Sequence, residues 1–397
     1  MPSWKLPAGA ALLVLGAGFM VLFIGGGARF AIGLTLKPIV DQFGWGRSEL
    51  GIAVALFQLV SAVAMLAAGH LADRISPRTV LAGGLFLSGI AIGLMSAISA
   101  PWQAMVLYGV VFALGNGAAS LVPIGVLVTR MVPDRAGLAN ALIMSGMSVG
   151  QLVVIATMTA VLTSLSWPSV YLLLGAAHLV LLPFLFAAIP GKLPEQAGAA
   201  RPSKGLDLRE AARSRQFWLL MVIYAICGFD DFFVATHVVA FAQDRGLDIF
   251  FAGNLLALMG LAGLLGVVTA GAFSDRSGPV WPTAISFAAR VAAFGLVWAD
   301  QSWVSVTIFA LVFGLTFLVT APLTVVFVAE SFGTRNLGGL TGLITMVHHI
   351  CGGLGAYVGA AVFDATGTYN AAFVFMLVIS ALAVVLTLML QRRPAGA

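Results

Sequence analysis

The sequence predicts an all-α membrane protein: twelve transmembrane helices in two six-helix bundles, a pseudo-twofold pair around a central cavity. Three observations predict it. Apolar residues make up 60% of the chain and charged residues only 9%, and the apolar residues come in long blocks. Lysine and arginine concentrate in every second loop. A short motif recurs 202 residues after its first appearance.

The blocks come first. A soluble domain carries about 25% charged residues, so this chain cannot cover a water-facing surface. From Ala10 to Leu36 the one charge is Arg29, and from Leu50 to Leu71 there is no Asp, Glu, Lys or Arg. A helix needs about 20 apolar residues to cross the hydrocarbon layer, and the alternation of barrel strands is absent. Gly, Pro and charge clusters divide the chain into segments 10–36, 49–71, 79–99, 103–129, 137–163, 168–189, 217–242, 250–273, 280–299, 302–329, 338–362 and 369–390. The first is too long for a signal-peptide core and reads as an uncleaved span.

Orientation follows from the basic residues. With the N-terminus inside, the inner loops hold Lys5, Arg74, Arg78, Arg130, Arg135, Lys192, Arg201, Lys204, Arg209, Arg213, Arg215, Arg276, Arg335, Arg392 and Arg393. The outer loops hold Lys37, Arg47 and Arg245. Both termini are therefore expected in the cytoplasm, with the chain in the inner membrane of the cell. The basic pI of about 9.6 belongs to these loops and does not imply nucleic acid. Cys227 and Cys351 fall in apolar blocks and suggest neither a disulfide framework nor a metal cluster.

The halves repeat. Gly69-His-Leu-Ala-Asp73-Arg74 follows segment two, and Gly271-Ala-Phe-Ser-Asp275-Arg276 follows segment eight. Two parallel six-span units predict such a recurrence. Residues 1–189 are expected to form the first bundle, 190–216 a cytoplasmic linker and 217–397 the second bundle. Within the linker, Asp207-Leu-Arg-Glu210 has the pattern of a capped helix start, so a short surface helix should precede segment seven.

These two loops resemble the signature loop of the major facilitator superfamily, which joins spans two and three and again spans eight and nine. The resemblance implies a cytoplasmic latch made of Gly69, Asp73, Arg74, Arg78, Gly271, Asp275 and Arg276. The glycines would allow close helix approach, and the Asp and Arg side chains would pair with neighbouring helix ends. Ser76 stands where the family has glycine, and the second copy lacks the distal basic residues. A second resemblance is narrower. The stretch Ile32 to Glu49, with Phe43-Gly44-Trp45-Gly46-Arg47-Ser48-Glu49 at its end, resembles the first outer loop of the monocarboxylate porters and oxalate–formate exchangers. Gly338 to Gly342, His348 to Tyr357 and Asp364 to Tyr369 are similar to span eleven of bacterial members. Both families carry charge in span eight, whereas Leu255 to Phe273 has none here. The exchanger's span-eleven lysine is matched only by His348 or His349.

Ionisable groups inside spans are functional candidates, because burying one in lipid costs about 2.5–3.5 kcal/mol on insertion scales. Arg29 follows Gly25-Gly26-Gly27 and could hold a carboxylate with its planar fork; otherwise it pairs with an acid or reaches the interface. Arg290 carries the same two readings. Asp230 and Asp231 are adjacent, so one would line the cavity while the other neutralises an arginine. Asp230, Phe233 and His237 share a helix face and could relay protons; the alternative is a fixed ion pair. His348 and His349 offer one substrate or proton contact, or packing. Asn116, Gln58, Gln151 and His178 are weaker candidates, and Gln151 follows a small-residue face suited to close packing. Phe229, Phe232 and Phe233 either line a pocket or pack.

The expected function is alternating-access transport of a small organic anion, a monocarboxylate, by proton coupling or exchange. Arg29, His348, His349, Asn116 and Arg290 would contact substrate, and Asp230, Asp231 and His237 would carry protons. The alternative is a proton-coupled exporter of drug-like or cationic compounds that uses Asp230 or Asp231. No phosphate-binding glycine loop or nucleophile constellation points to an enzyme. The chain is expected to act as a monomer with the bilayer and a small molecule as partners, without cofactor or metal.

Overall fold

The computed structural model describes residues 8–121, 123–124, 127, 136–190, 205–333 and 336–390. Its helices are α1 (Ala8–Ala28), α2 (Ala31–Phe43), α3 (Arg47–Arg74), α4 (Pro77–Leu94), α5 (Pro101–Ala104) and α6 (Ala113–Ala118). They continue as α7 (Ala136–Ser164), α8 (Trp167–Ala188), α9 (Leu208–Ala212), α10 (Arg215–Asp244) and α11 (Ile249–Ser277). The last are α12 (Val280–Ala299), α13 (Trp303–Phe317), α14 (Thr320–Phe332), α15 (Leu337–Thr366) and α16 (Asn370–Leu388). Eleven helical spans among the described residues are long and apolar enough to cross a membrane. Their outer faces are apolar, with Val180, Val268 and Trp303 each more than 60% exposed. Lipid is the solvent that suits such faces, and the helix is the structure that satisfies its own backbone there. The chain is a multi-pass membrane protein.

Three spans differ from the sequence expectation. The first does not stop at residue 36. It breaks at Arg29 and Phe30, restarts as α2 and runs to Phe43. Lys37 and Asp41, which read as loop, pair at 3.2 Å one helical turn apart inside α2. Gly44 then ends the helix with a left-handed φ of 70°, and its N–H and that of Trp45 both donate to the Val40 carbonyl. The fourth segment is wound as a π-helix over Met105–Phe112, between α5 and α6. The tenth breaks between α13 and α14, which leaves carbonyls near Thr316 and Thr320 free for side-chain donors. The linker helix forms as expected: Glu210 N–H donates to Asp207 Oδ1 and Asp207 N–H to Glu210 Oε2, both at 2.8 Å.

The two halves of the chain meet along three helix crossings. Gly33 of α2 lies where a Cβ would stand 2.5 Å from the Ala235 carbonyl of α10. Gly353 of α15 lies against the backbone of Ala55 in α3, and Gly260 of α11 against Gln151 of α7, whose Nε2 donates to the Leu256 carbonyl at 3.1 Å. The small-residue face before Gln151 packs as expected, with Gly146 and Gly150 against the Phe19 and Phe23 carbonyls of α1. This seam closes toward the end that carries the turns at residues 44–46 and 367–369. Toward the opposite end, Gly271 of α11 and Gly338 and Gly339 of α15 have no neighbour among the described residues within 4 Å of where a Cβ would lie.

Candidate functional site

Arg29 stands at the break between α1 and α2. Its carbonyl, freed by the break, accepts from Tyr108 Oη at 2.5 Å, so the π-wound stretch holds the break in place. Its guanidinium carbon lies 4.6 Å from the Phe30 ring centroid. No carboxylate among the described residues pairs with it, and its Nε is buried without a hydrogen-bond partner. It lines a cleft of about 290 Å³, counted to its open mouth, with Phe30, Phe57, Gln58, Tyr108 and Phe232. Ile32, Gly33, Val54, Ala235 and Thr236 complete the lining, so the cleft straddles both halves of the chain. Asn116 lies beside it: the Nδ2 atom is 3.0 Å from where a Gly25 Cβ would be.

A polar chain leads away from this cleft. Gln58 Nε2 approaches His349 Nδ1 at 3.4 Å, and both histidine rings pack on Phe232 at centroid distances of 5.9 and 5.7 Å. His348 Nε2 stands 3.8 Å from Asp231 Oδ2, and Asp231 Oδ1 meets Arg290 Nη2 at 2.7 Å. Gly228 makes this possible, because the His348 backbone occupies the space a Cβ would need. Arg290 is fully buried. It donates from Nε to Thr316 Oγ1 and from Nη2 to the Thr316 carbonyl, each at 3.1 Å, using a carbonyl freed by the break in span ten. Asp230 Oδ2 is 3.9 Å from Arg290 Nη1 and accepts from Ser380 Oγ at 2.7 Å. Arg290 thus lies buried between the two acids and is absent from the lining of the Arg29 cleft. Asp230 and Asp231 flank the same arginine instead of dividing between cavity and pair.

His237 is not joined to Asp230. Phe233, packed edge-on to Tyr369 and Phe373, separates them, so the relay drawn from helical spacing is not assembled. His237 belongs to a clasp at the closed end. Its Nε2 faces the Ala356 carbonyl at 2.8 Å and must donate, because a carbonyl only accepts. Nδ1 of the neutral ring then accepts from Tyr369 Oη at 3.0 Å, and Tyr369 accepts from Arg47 Nη1 at 2.7 Å. Arg47 also grips both oxygens of Asp244 at 2.8 Å and lies 3.6 Å over the Phe363 ring. Asp364 of α15 accepts from the backbone N–H groups of Arg47 and Ser48, at 2.9 and 2.8 Å. The first turn of α3 is therefore capped by the other half of the chain.

Sequence reasoning singled out Arg47 and Asp364 only as parts of two resembling stretches. The structure brings those stretches together, 317 residues apart. The signal was there in the Arg-Ser-Glu string at a helix start and the Asp near a helix end, but nothing paired them.

The latch residues are only partly visible. Gly69, Asp73 and Arg74 fall in the last turns of α3, and their side chains lie outside the described residues. Arg78 lies 4.7 Å from the Phe186 ring, linking α4 to α8, and Asp275 and Arg276 sit exposed at the end of α11. His178 Nδ1 donates to the Leu174 carbonyl of its own helix at 2.8 Å, and the residue reads as packing. Cys227, Asp231 and His348 offer three ligand atoms within 4.8 Å of one another. Arg290 already supplies the positive charge there, so the donor set does not fit a cation.

The sequence matches the Major Facilitator Superfamily over residues 18–236 and again over 220–397. It is 27% identical to the MFS-type transporter YcxA of Bacillus subtilis (strain 168), across 86% of this chain and 87% of that one. It is 25% identical to monocarboxylate transporter 13 of Rattus norvegicus, across 77% and 71%. The crystal structure of a bacterial homolog of the human lysosomal transporter Spinster, inward-facing and occupied, superposes with a TM-score of 0.79 at 14% identity, across 96% of this chain and 98% of that one. The match in both halves, with this shared fold, shows that the chain belongs to the major facilitator superfamily, and it is a transporter, not an enzyme, resembling the monocarboxylate branch.

Proposed function

We propose that the chain carries a small organic monocarboxylate across the inner membrane by alternating access, coupled to protons or to exchange. The observation that carries this reading is Arg29: an arginine at a helix break, in no ion pair with an acid among the described residues, facing a cleft shared by both halves. A substrate carboxylate supplies the counter-charge and, by touching residues of both halves, senses their relative position. His348, 3.8 Å from Asp231 and part-exposed, is the proton site this arrangement supports; His349 joins the cleft through Gln58. Arg290, Asp230 and Asp231 form the fixed charge cluster behind it. The name of the rat relative supports the substrate class.

The reading includes the twelve-span layout, residues 1–189 and 217–397 as the bundles, 190–216 as linker, and both termini cytoplasmic. The closed end then faces outward, and the clasp on Arg47 is the outer gate. The repeated loop at Asp73 and Asp275 acts at the opposite face. A cation exporter is less well supported, because Asp230 and Asp231 are buried and engaged with Arg290. Calorimetry of purified protein with monocarboxylates tests the proposal. Binding that is lost in Arg29→Gln supports it. Carboxylate binding of unchanged affinity in that variant overturns it.

A further inference from the structure

The cleft that holds Arg29 has more to say than its charge. Four of its lining residues present aromatic rings: Phe30, Phe57, Tyr108 and Phe232. Ile32 and Val54 add aliphatic surface. Polar side chains other than Arg29 and Tyr108 are only Gln58 and Thr236, and Gln58 already approaches His349. Phe57 and Tyr108 lie at a centroid distance of 4.9 Å, tilted by 31°, and Phe57 stacks on Phe112 behind them at 5.4 Å. This wall is therefore a cluster of packed rings. Its far side is shut where Gly33 meets the Ala235 carbonyl.

We propose that this cleft selects carboxylates with a single negative charge and one aromatic ring, over short aliphatic or hydroxylated acids and over dianions. The inference rests on the monocarboxylate reading above and sharpens it. One unpaired cation fixes one carboxylate. The second intramembrane arginine is buried and bound to Asp231, so a second carboxylate would find no partner and would face acids already in place. Beyond the carboxylate, the lining is what a ring covers well, at the centroid spacings of about 4.5–7 Å that aromatic pairs adopt. A lactate-like hydroxyl would have only Gln58 and Thr236 to meet in a lining that is mostly ring and aliphatic surface, and acetate would leave the rings uncovered.

The test is titration calorimetry on the purified full chain with benzoate, phenylacetate, cyclohexanecarboxylate, acetate, lactate, oxalate and phthalate. Benzoate or phenylacetate should bind at least about tenfold more tightly than acetate and lactate. Cyclohexanecarboxylate should be intermediate, and oxalate and phthalate should not bind. Phe57→Leu should pull the benzoate-to-acetate ratio toward one, while Arg29→Gln should weaken every acid. The wild-type series decides the matter even if a variant does not fold. If acetate or lactate binds as tightly as benzoate, and Arg29→Gln weakens both, the transporter reading stands and the aromatic selectivity is wrong. If phthalate or oxalate outbinds benzoate, the single-charge argument is wrong. If no carboxylate binds, both readings fall together.

Discussion

Replacing Asp364 with asparagine tests whether a helix cap holds the two halves together. Asp364 accepts two backbone N–H groups, from Arg47 and Ser48, at the start of α3. These donors have no partner within their own helix, and the carboxylate also meets the positive end of the helix dipole. Gly46 admits it, since a Cβ there would stand 2.8 Å from Asp364 Oδ2. Asparagine keeps the size but loses the charge and one acceptor oxygen. A hydrogen bond to a charged group is worth about 1.5–3 kcal/mol and a neutral one about 1, so the loss is about 2 kcal/mol after water reaches the freed donor. The cap exists only while the halves touch. The whole loss therefore falls on the closed arrangement and shifts its ratio to the open one by roughly thirtyfold. If wild type is about nine-tenths closed at this end, Asp364→Asn should be about one-quarter closed. Spin labels at Leu165, exposed in the turn after α7, and Trp303, exposed at the start of α13, report the separation by pulsed electron resonance. The longer distance should grow at the expense of the shorter. Gly46→Ala should shift it the same way. A distribution identical to wild type, in protein of normal melting temperature, would show that the cap does not hold the gate.

Four further outcomes are expected. Arg29→Gln should weaken monocarboxylate binding by about ten- to a hundredfold, one charged hydrogen bond, and Arg29→Lys by less, as titration calorimetry would show. Arg290→Gln leaves Asp230 and Asp231 buried without their cation, so it should destabilise the fold by about 3–5 kcal/mol in detergent melting, whereas the double change Arg290→Leu with Asp231→Leu should recover much of that. His348→Gln should uncouple substrate flux from proton flux in vesicles while substrate binding persists; coupling that survives it removes the proton role. Ser302 and Ser305 hydroxyls and the Ser302 N–H hold Asp300 below the usual carboxylate range, so the turn into α13 should stay protected from hydrogen exchange at neutral pH and loosen only as pH falls through that lowered value.

Spans were legible because lipid imposes length and apolarity on each separately. The breaks were less so. Lys37, Pro38 and Asp41 read as loop, yet Lys37 and Asp41 satisfy each other within α2 and the helix continues. The linker helix was readable because its cap is local, three residues from Asp207 to Glu210. The charge assignments were only half readable. Helical spacing places Asp230, Phe233 and His237 on one face, but spacing does not say what stands opposite. The partners are Ser380, Tyr369 and Ala356, which come from more than a hundred residues away. Likewise the sequence offers two intramembrane arginines as equals. Only tertiary packing spends one on Asp231 and leaves the other facing the cleft.

One helix joins these parts. Along α10, Asp230 and Asp231 hold Arg290, Phe232, Ala235 and Thr236 line the cleft, and His237 enters the clasp through Tyr369. Seven residues from 231 to 237 span about 9 Å at 1.5 Å per residue, so the charge cluster, the cleft and the gate lie within two turns of a single rod. A rod cannot stretch to accommodate a ligand. On the proposed reading, a carboxylate held by Arg29 would press its ring against Phe232, next to Asp231 and five residues before His237 on the same rod. The same crossing, Gly33 against Ala235, lies between cleft and clasp. Opening the gate must separate that crossing, and separating it unroofs the cleft on the gate side. If the proposal holds, substrate binding and gate position are two readings of one helix placement, and a change at Arg29 should alter the Asp364 equilibrium when substrate is present and not when it is absent.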